Sequence, residues 1–346
     1  MPNQKKTALS AASVLFMLLV IFIHTSAECV TGYPVDSAAF VVMTSANRLA
    51  SFVVQGFLFL SGLKLFLPRE GEFSYGHFAL SRLRRVVLPY FIAFCAFYLV
   101  YALTGRIAPS AGHFLREFFT GGLATHFYFV AVIVQFYLLL PLWRLLNRHA
   151  HPALLCLVAF VLTDVCSVHL PEIVRLLFHV EIAHTSRLFV SYLFYFVAGM
   201  EAGAHYDGFT AFLRERRREL WILWAVAGAV DCALLIAIRR GVYYPVWAEE
   251  WHIMTSILAI LSVLALMEKY ENAPLFSTRV FRETDAASYL VYLWHPLVIL
   301  AVDALLGRLG ISSLTLRFLL RTAVVVPISV FGCIGVRRLI GKKKKA

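Results

Sequence analysis

Four stretches of this chain carry residues able to exchange protons or grip phosphate. His24 ends an unbroken run of ten apolar residues, Val14–Ile23, and Glu28 follows four positions later. On a helix that spacing is one face, so the carboxylate can orient or charge-balance an imidazole that titrates near neutrality. The plainer reading is a neutral buried histidine bonded to a backbone carbonyl, with Glu28 an exposed helix-end carboxylate. His295 sits in Tyr289-Leu290-Val291-Tyr292-Leu293-Trp294-His295-Pro296, where the proline removes a helix hydrogen bond and frees the carbonyl of Tyr292. A polar cavity would account for that kink, and so would helix packing alone. His126 and Tyr128 lie in Thr125-His126-Phe127-Tyr128-Phe129, which also reads as an interfacial aromatic belt. Arg82-Leu83-Arg84-Arg85 places Arg82 and Arg85 on one helix face, where they can clamp a phosphate-rich ligand bidentately. Topology anchoring is the alternative for that run.

The elements that must position these residues are membrane helices. Of the 346 residues, 60% are hydrophobic and 15% charged, and the mean hydropathy is +0.77. A soluble chain is about 45–50% apolar and about a quarter charged. The excess falls in continuous apolar blocks of the length that crosses a hydrocarbon core of about 30 Å, with none of the alternation of a β-barrel. The spans are expected at Ala8–Ala27, Arg48–Leu67, Val86–Leu103, Ala124–Leu146, Ala153–Leu170, Leu188–His205, Leu220–Ile238, Ile253–Met267, Ala287–Leu306 and Leu316–Val336. The first is read as a retained helix, because its apolar stretch is too long for a signal peptide and Thr25-Ser26-Ala27-Glu28 is a poor cleavage site. The fold class is therefore an all-α polytopic membrane protein of about ten transmembrane helices with both termini cytoplasmic. Residues 1–346 read as a single membrane-embedded domain without a soluble one. Glu28–Asn47 is expected as an outer loop, and His113–Phe119 as a short interfacial helix.

The net charge of +12 points to the membrane rather than to nucleic acid. The ten-span topology puts 22 of the 32 basic residues on the cytoplasmic side, among them Lys5, Lys6, Arg69 and Lys342–Lys345, as the positive-inside rule requires. The six cysteines show no paired spacing, so neither a metal nor a disulfide is expected. Asp164, Glu201 and Asp231 lie within apolar spans, where they read as helix–helix hydrogen-bonding groups rather than catalysts.

Taken in order, these pieces resemble the acyltransferase type 3 family of bacterial membrane O-acyltransferases over nearly the whole chain. The resemblance rests on Val20-Ile21-Phe22-Ile23-His24-Thr25-Ser26, on Asn47-Arg48-Leu49, on Phe57-Leu58-Phe59-Leu60-Ser61-Gly62, and on Arg82-Leu83-Arg84-Arg85-Val86-Val87-Leu88-Pro89-Tyr90. It continues in His126-Phe127-Tyr128-Phe129 with Gln135-Phe136-Tyr137-Leu138-Leu139-Leu140-Pro141, and in Ser288–Pro296. Two positions depart from the pattern: Ser13 stands where the family usually has an arginine, and Gln55 where it has a proline. The resemblance implies transfer of an acyl group, acetyl foremost, from cytoplasmic acyl-CoA to a hydroxyl of an envelope glycan or lipid-linked sugar, in the bacterial plasma membrane. It implies acyl-CoA as a donor substrate rather than a tightly bound cofactor, with membrane lipids as the surroundings and no nucleic-acid partner. His24, with Glu28, would serve as base or transient acyl carrier. His126 or Tyr128 would stabilise an oxyanion, His295 would line the path, and Arg82, Arg84 and Arg85 would hold the donor. Two other readings stay open on sequence alone. One is a transporter of glycan or lipid-linked intermediates, whose substrate path the same residues would line. The other is an inactive family member.

Overall fold

The computed structural model describes residues 4–68, 72–179, 184–242, 245 and 247–343, with side chains from 7 to 340 of these. Arg69, Lys344 and Lys345 therefore lie outside the described residues, as do the side chains of Lys5, Lys6, Lys342 and Lys343. The helices are α1 (Gln4–Gly32), α2 (Ala38–Ala50), α3 (Val53–Phe66), α4 (Tyr75–Arg82), α5 (Leu88–Leu103) and α6 (Ala111–Thr120). Next come α7 (Tyr128–Leu138), α8 (Leu140–His149), α9 (Pro152–Asp164), α10 (Leu170–Phe178), α11 (Leu193–Ala204) and α12 (Tyr206–Glu215). The last four are α13 (Arg217–Arg239), α14 (Ala248–Lys269), α15 (Arg279–Arg308) and α16 (Leu314–Lys343). No strand occurs among the described residues.

Eight helical stretches of 22 to 30 residues are long and apolar enough to cross a bilayer. Each matches one expected span. The expected fourth span is the pair α7 and α8, bent by 56° at a break beside Pro141, and the expected sixth is the shorter Phe189–Ala204. Most of Glu28–Asn47 is helical rather than loop. α1 runs on to Gly32, and the Ser37 side chain accepts from the Phe40 N–H, starting α2 well before the apolar run. Ser74 likewise caps α4 and Ser110 caps α6, the expected interfacial helix. Large apolar side chains stay exposed on the spans, among them Leu157, Val161, Ile222, Leu223 and Val226. In lipid such groups need no protein cover, and backbone bonding within each helix is what the hydrocarbon demands.

The chain forms two compact units, Met1–Phe57 with Asp207–Ala346, and Leu58–Tyr206. In the first, α1 is the central helix and packs against α2, α14, α15 and α16. Its core joins Met17 and Ile21 to Ala287, Val291 and Val325. α1 and α16 run antiparallel: Cys29 and Tyr33 meet Leu314 and Thr315 at one end and Thr25 meets Thr322 a turn further in, while at the other end Ser10 of α1 bonds Asp285 of α15 and Arg338 of α16 bonds Glu283 of α15. The two described chain ends thus lie at the same end of this unit. In the second unit the latter part of α3 presses against α11. A Cβ on Gly62 would stand 2.2 Å from the Phe196 carbonyl oxygen, and one on Gly199 would stand 2.0 Å from that of Phe59. Small residues at such crossings let membrane helices pack backbone to backbone.

Candidate functional site

In the first unit the His24 ring lies 5.1 Å, centroid to centroid, from that of His295. These two histidines are 271 positions apart in sequence, and α1 and α15 bring them together. His295 is wholly buried, and its Nδ1 donates to the carbonyl of Tyr292 at 2.9 Å and that of Val291 at 3.1 Å. The carbonyl that Pro296 frees is thus taken up by the histidine beside it, and α15 continues unbroken to Arg308. Because carbonyls only accept, the bond assigns the hydrogen of the neutral ring to Nδ1. The turn of α1 that carries His24 is held from both sides. Thr322 of α16 donates to the Thr25 hydroxyl at 3.1 Å, and the Asn47 amide of α2 donates to Ser26 Oγ at 2.9 Å.

The Glu28 carboxylate engages two arginines of α16. Arg317 reaches it at 3.0 and 3.3 Å, and Arg321 bonds both Glu28 and Asp303. Arg317 also lies 3.8 Å from Asp303, so two cations and two carboxylates close a network one turn along α1 from His24. Arg317, Arg321 and Asp303 were not singled out from the sequence, although charges inside apolar spans are the signal that points to such groups. Ser13 is buried and donates to the Leu9 carbonyl at 2.8 Å.

In the second unit the basic run falls on a π-helical turn, Leu83–Val87, between α4 and α5. Such turns are frequent at functional sites because the wider turn redirects side chains. Arg82 and Arg85 both line a cavity of about 1000 Å³, together with Arg144 and Arg148 of α8. Glu72 is a carboxylate in the lining, and Arg84, exposed like Arg85, Arg144 and Arg148, does not line it. The Arg82 guanidinium sits over the rings of Phe78 and Tyr137, at 4.9 and 5.0 Å, and that of Arg144 lies 4.1 Å over Phe73. Among the described residues, none of Arg82, Arg85, Arg144 and Arg148 forms an ion pair with a carboxylate, and Arg82 Nε is buried without a hydrogen-bond partner. Aromatic faces hold Arg82 and Arg144 while leaving their N–H groups for an anion. Arg144 and Arg148 are four apart, one face of a helix, which is the spacing that would have found them.

The same unit holds His126 and Tyr128. His126 is buried against Phe97 and Phe127, with ring centroids at 5.4 and 4.2 Å. Tyr128 opens α7 and stacks on Tyr192 at 6.5 Å. Gln135, from the same stretch, clamps the segment before α11: its amide donates to the Arg187 carbonyl at 2.9 Å and its oxygen accepts from the Phe189 N–H at 3.0 Å. Two of the three in-membrane carboxylates act between helices as expected, while Asp164 lies 3.5 Å from His169 on the same helical stretch. Asp231 bonds Arg48 and His252, and Glu201 accepts from Asn147. The cysteines are unbonded to one another.

A search of curated proteins and of solved structures returned no match to this chain. A family model, described as an acyltransferase domain, matches residues 8–338, which include every residue named in this subsection. The chain belongs to the acyltransferase type 3 family and is a polytopic membrane protein of that family.

Proposed function

We propose that this protein is a membrane O-acyltransferase that moves an acyl group, acetyl foremost, from acyl-CoA to a hydroxyl of an envelope sugar or polysaccharide. The observation that carries this reading is the cavity lined by four arginines against one described carboxylate, Glu72, with none of the four in an ion pair among the described residues. A site so charged and so incompletely neutralised fits a ligand rich in phosphate, as the nucleotide end of CoA is. Arg82 and Arg85 would grip the phosphates, with Arg144 and Arg148 completing the set. The basic bias of the chain favours a cytoplasmic donor and cytoplasmic termini, in a bacterial plasma membrane.

His24 takes the proton of the acceptor hydroxyl as its oxygen attacks the thioester carbonyl. The new C–O bond forms, the C–S bond breaks, and the proton passes to the leaving thiolate, giving the ester and free CoA thiol. His295, locked onto backbone carbonyls, presents a fixed ring against that of His24. The Glu28–Arg317–Arg321–Asp303 network keeps the end of α1 in place.

The test is acyl transfer from labelled acetyl-CoA by the protein in lipid nanodiscs. A general base contributes about 10²–10⁴-fold in rate, so His24→Ala should lose that much at unchanged expression and thermal stability. Undiminished transfer by that variant would refute the assignment.

A further inference from the structure

Unit 1 holds a second polar cluster that the mechanism above leaves unused. Arg48 of α2 donates two parallel hydrogen bonds to Asp231 of α13, at 3.0 and 2.9 Å, and the Asp231 side chain is 1% exposed. The same carboxylate lies 2.8 Å from Nδ1 of His252, on α14. A carboxylate only accepts, so Nδ1 carries the hydrogen and Nε2 of the neutral ring presents its lone pair. That nitrogen is 3.2 Å from Oγ of Ser51. Ser51 Oγ also lies 2.7 Å from the Arg48 carbonyl, so its single hydrogen has two acceptors to choose between.

Ser51 and Phe52 form a two-residue turn between α2 and α3, near the middle of the continuous 29-residue apolar stretch Ala38–Phe66. The turn leaves the serine half-buried while the carboxylate behind it is sealed. A purely structural clamp of α2 onto α13 needs Arg48 and Asp231. It has no need of a histidine relaying from that carboxylate to a reachable hydroxyl. Hydroxyl, imidazole and carboxylate in this order are the arrangement of an activated nucleophile, its base and the group that orients the base.

We propose that Ser51, His252 and Asp231 form a nucleophilic centre that takes up an acyl group from an activated ester or thioester. Ser51 Oγ attacks the acyl carbonyl while His252 Nε2 removes the hydroxyl proton. The bond to the leaving thiolate or alkoxide breaks, and that group departs with the proton from His252, leaving an ester on Ser51. An incoming hydroxyl then reverses the sequence: it loses its proton to His252, takes the acyl group, and Ser51 recovers the proton. Only the natural donor of this centre rests on the acyltransferase reading.

An alkyl fluorophosphonate tests the centre independently, because it brings its own leaving group and requires no acyl-CoA. The full-length protein in nanodiscs is treated with the probe and its peptides are mapped by mass spectrometry. The expected result is a phosphonyl adduct on Ser51, formed at least about 100-fold more slowly in His252→Ala. Absence of an adduct on Ser51 in the unaltered protein at saturating probe would overturn the proposal, whether or not any variant folds. So would an unchanged labelling rate in a folded His252→Ala. Loss of acyl transfer from acetyl-CoA with Ser51 still labelled would overturn the donor reading alone.

Discussion

The two units treat their charges in opposite ways. In the first, the charges within the spans are matched: Arg48 with Asp231, and Arg317 and Arg321 with Glu28 and Asp303. In the second, four arginines share one cavity with a single described carboxylate, Glu72, none of the four forms an ion pair among the described residues, and aromatic rings support two of them. A neutralised network holds helices together and binds nothing charged. An array of unmatched cations contributes little to packing and awaits an anion. The difference separates charges that have partners within the protein from charges left for a ligand, and it makes the consequences of substitution differ in kind.

The largest expected effect lies in the matched network. Asp231→Ala leaves Arg48 buried without its partner, which costs about 3–5 kcal/mol, and a sharp fall in detergent thermal stability is the readout. Gly199→Ala, in the second unit, drives a Cβ into the Phe59 carbonyl and costs about 1–3 kcal/mol by the same measurement. Arg82→Ala combined with Arg85→Ala should leave stability nearly unchanged. It should raise the KM for acyl-CoA by about tenfold or more, equivalent to about 1.4 kcal/mol or more, without a matching change in the KM for the acceptor. Arg144→Ala should act in the same direction and more weakly. Equal effects of the arginine changes on donor and acceptor, or a loss of stability like that of Asp231→Ala, would erase the distinction between the units.

Much of the architecture was legible because hydrophobic length is a strong signal. Each of the ten apolar blocks became a span, a bent pair or a short apolar helix. The errors came at the starts, where Ser37 and Ser74 nucleate helices before the apolar residues begin. The arginine clamp was legible in part. The spacing of Arg82 and Arg85 put them on one face and Arg84, two residues from the first and one from the second, off it, while the π turn that carries the run was not legible. The pairing of His24 with His295, and the contacts of Arg48, Asp231 and His252, join positions more than 180 apart or on different helices. One sequence carries no record of such neighbours. Arg317, Arg321 and Asp303 were visible as charges in apolar spans, but their partners were not.

The central claim is that the arginine cavity grips the phosphate-bearing part of an acyl-CoA donor. Comparing acetyl-CoA with S-acetylpantetheine, which has the same thioester and no phosphates, tests it most directly. The unaltered protein in nanodiscs should use acetyl-CoA at a kcat/KM at least about tenfold above that of the truncated donor, and Arg82→Ala with Arg85→Ala should bring the two together. An undiminished preference for acetyl-CoA in that variant, or no preference in the unaltered protein, would contradict the account.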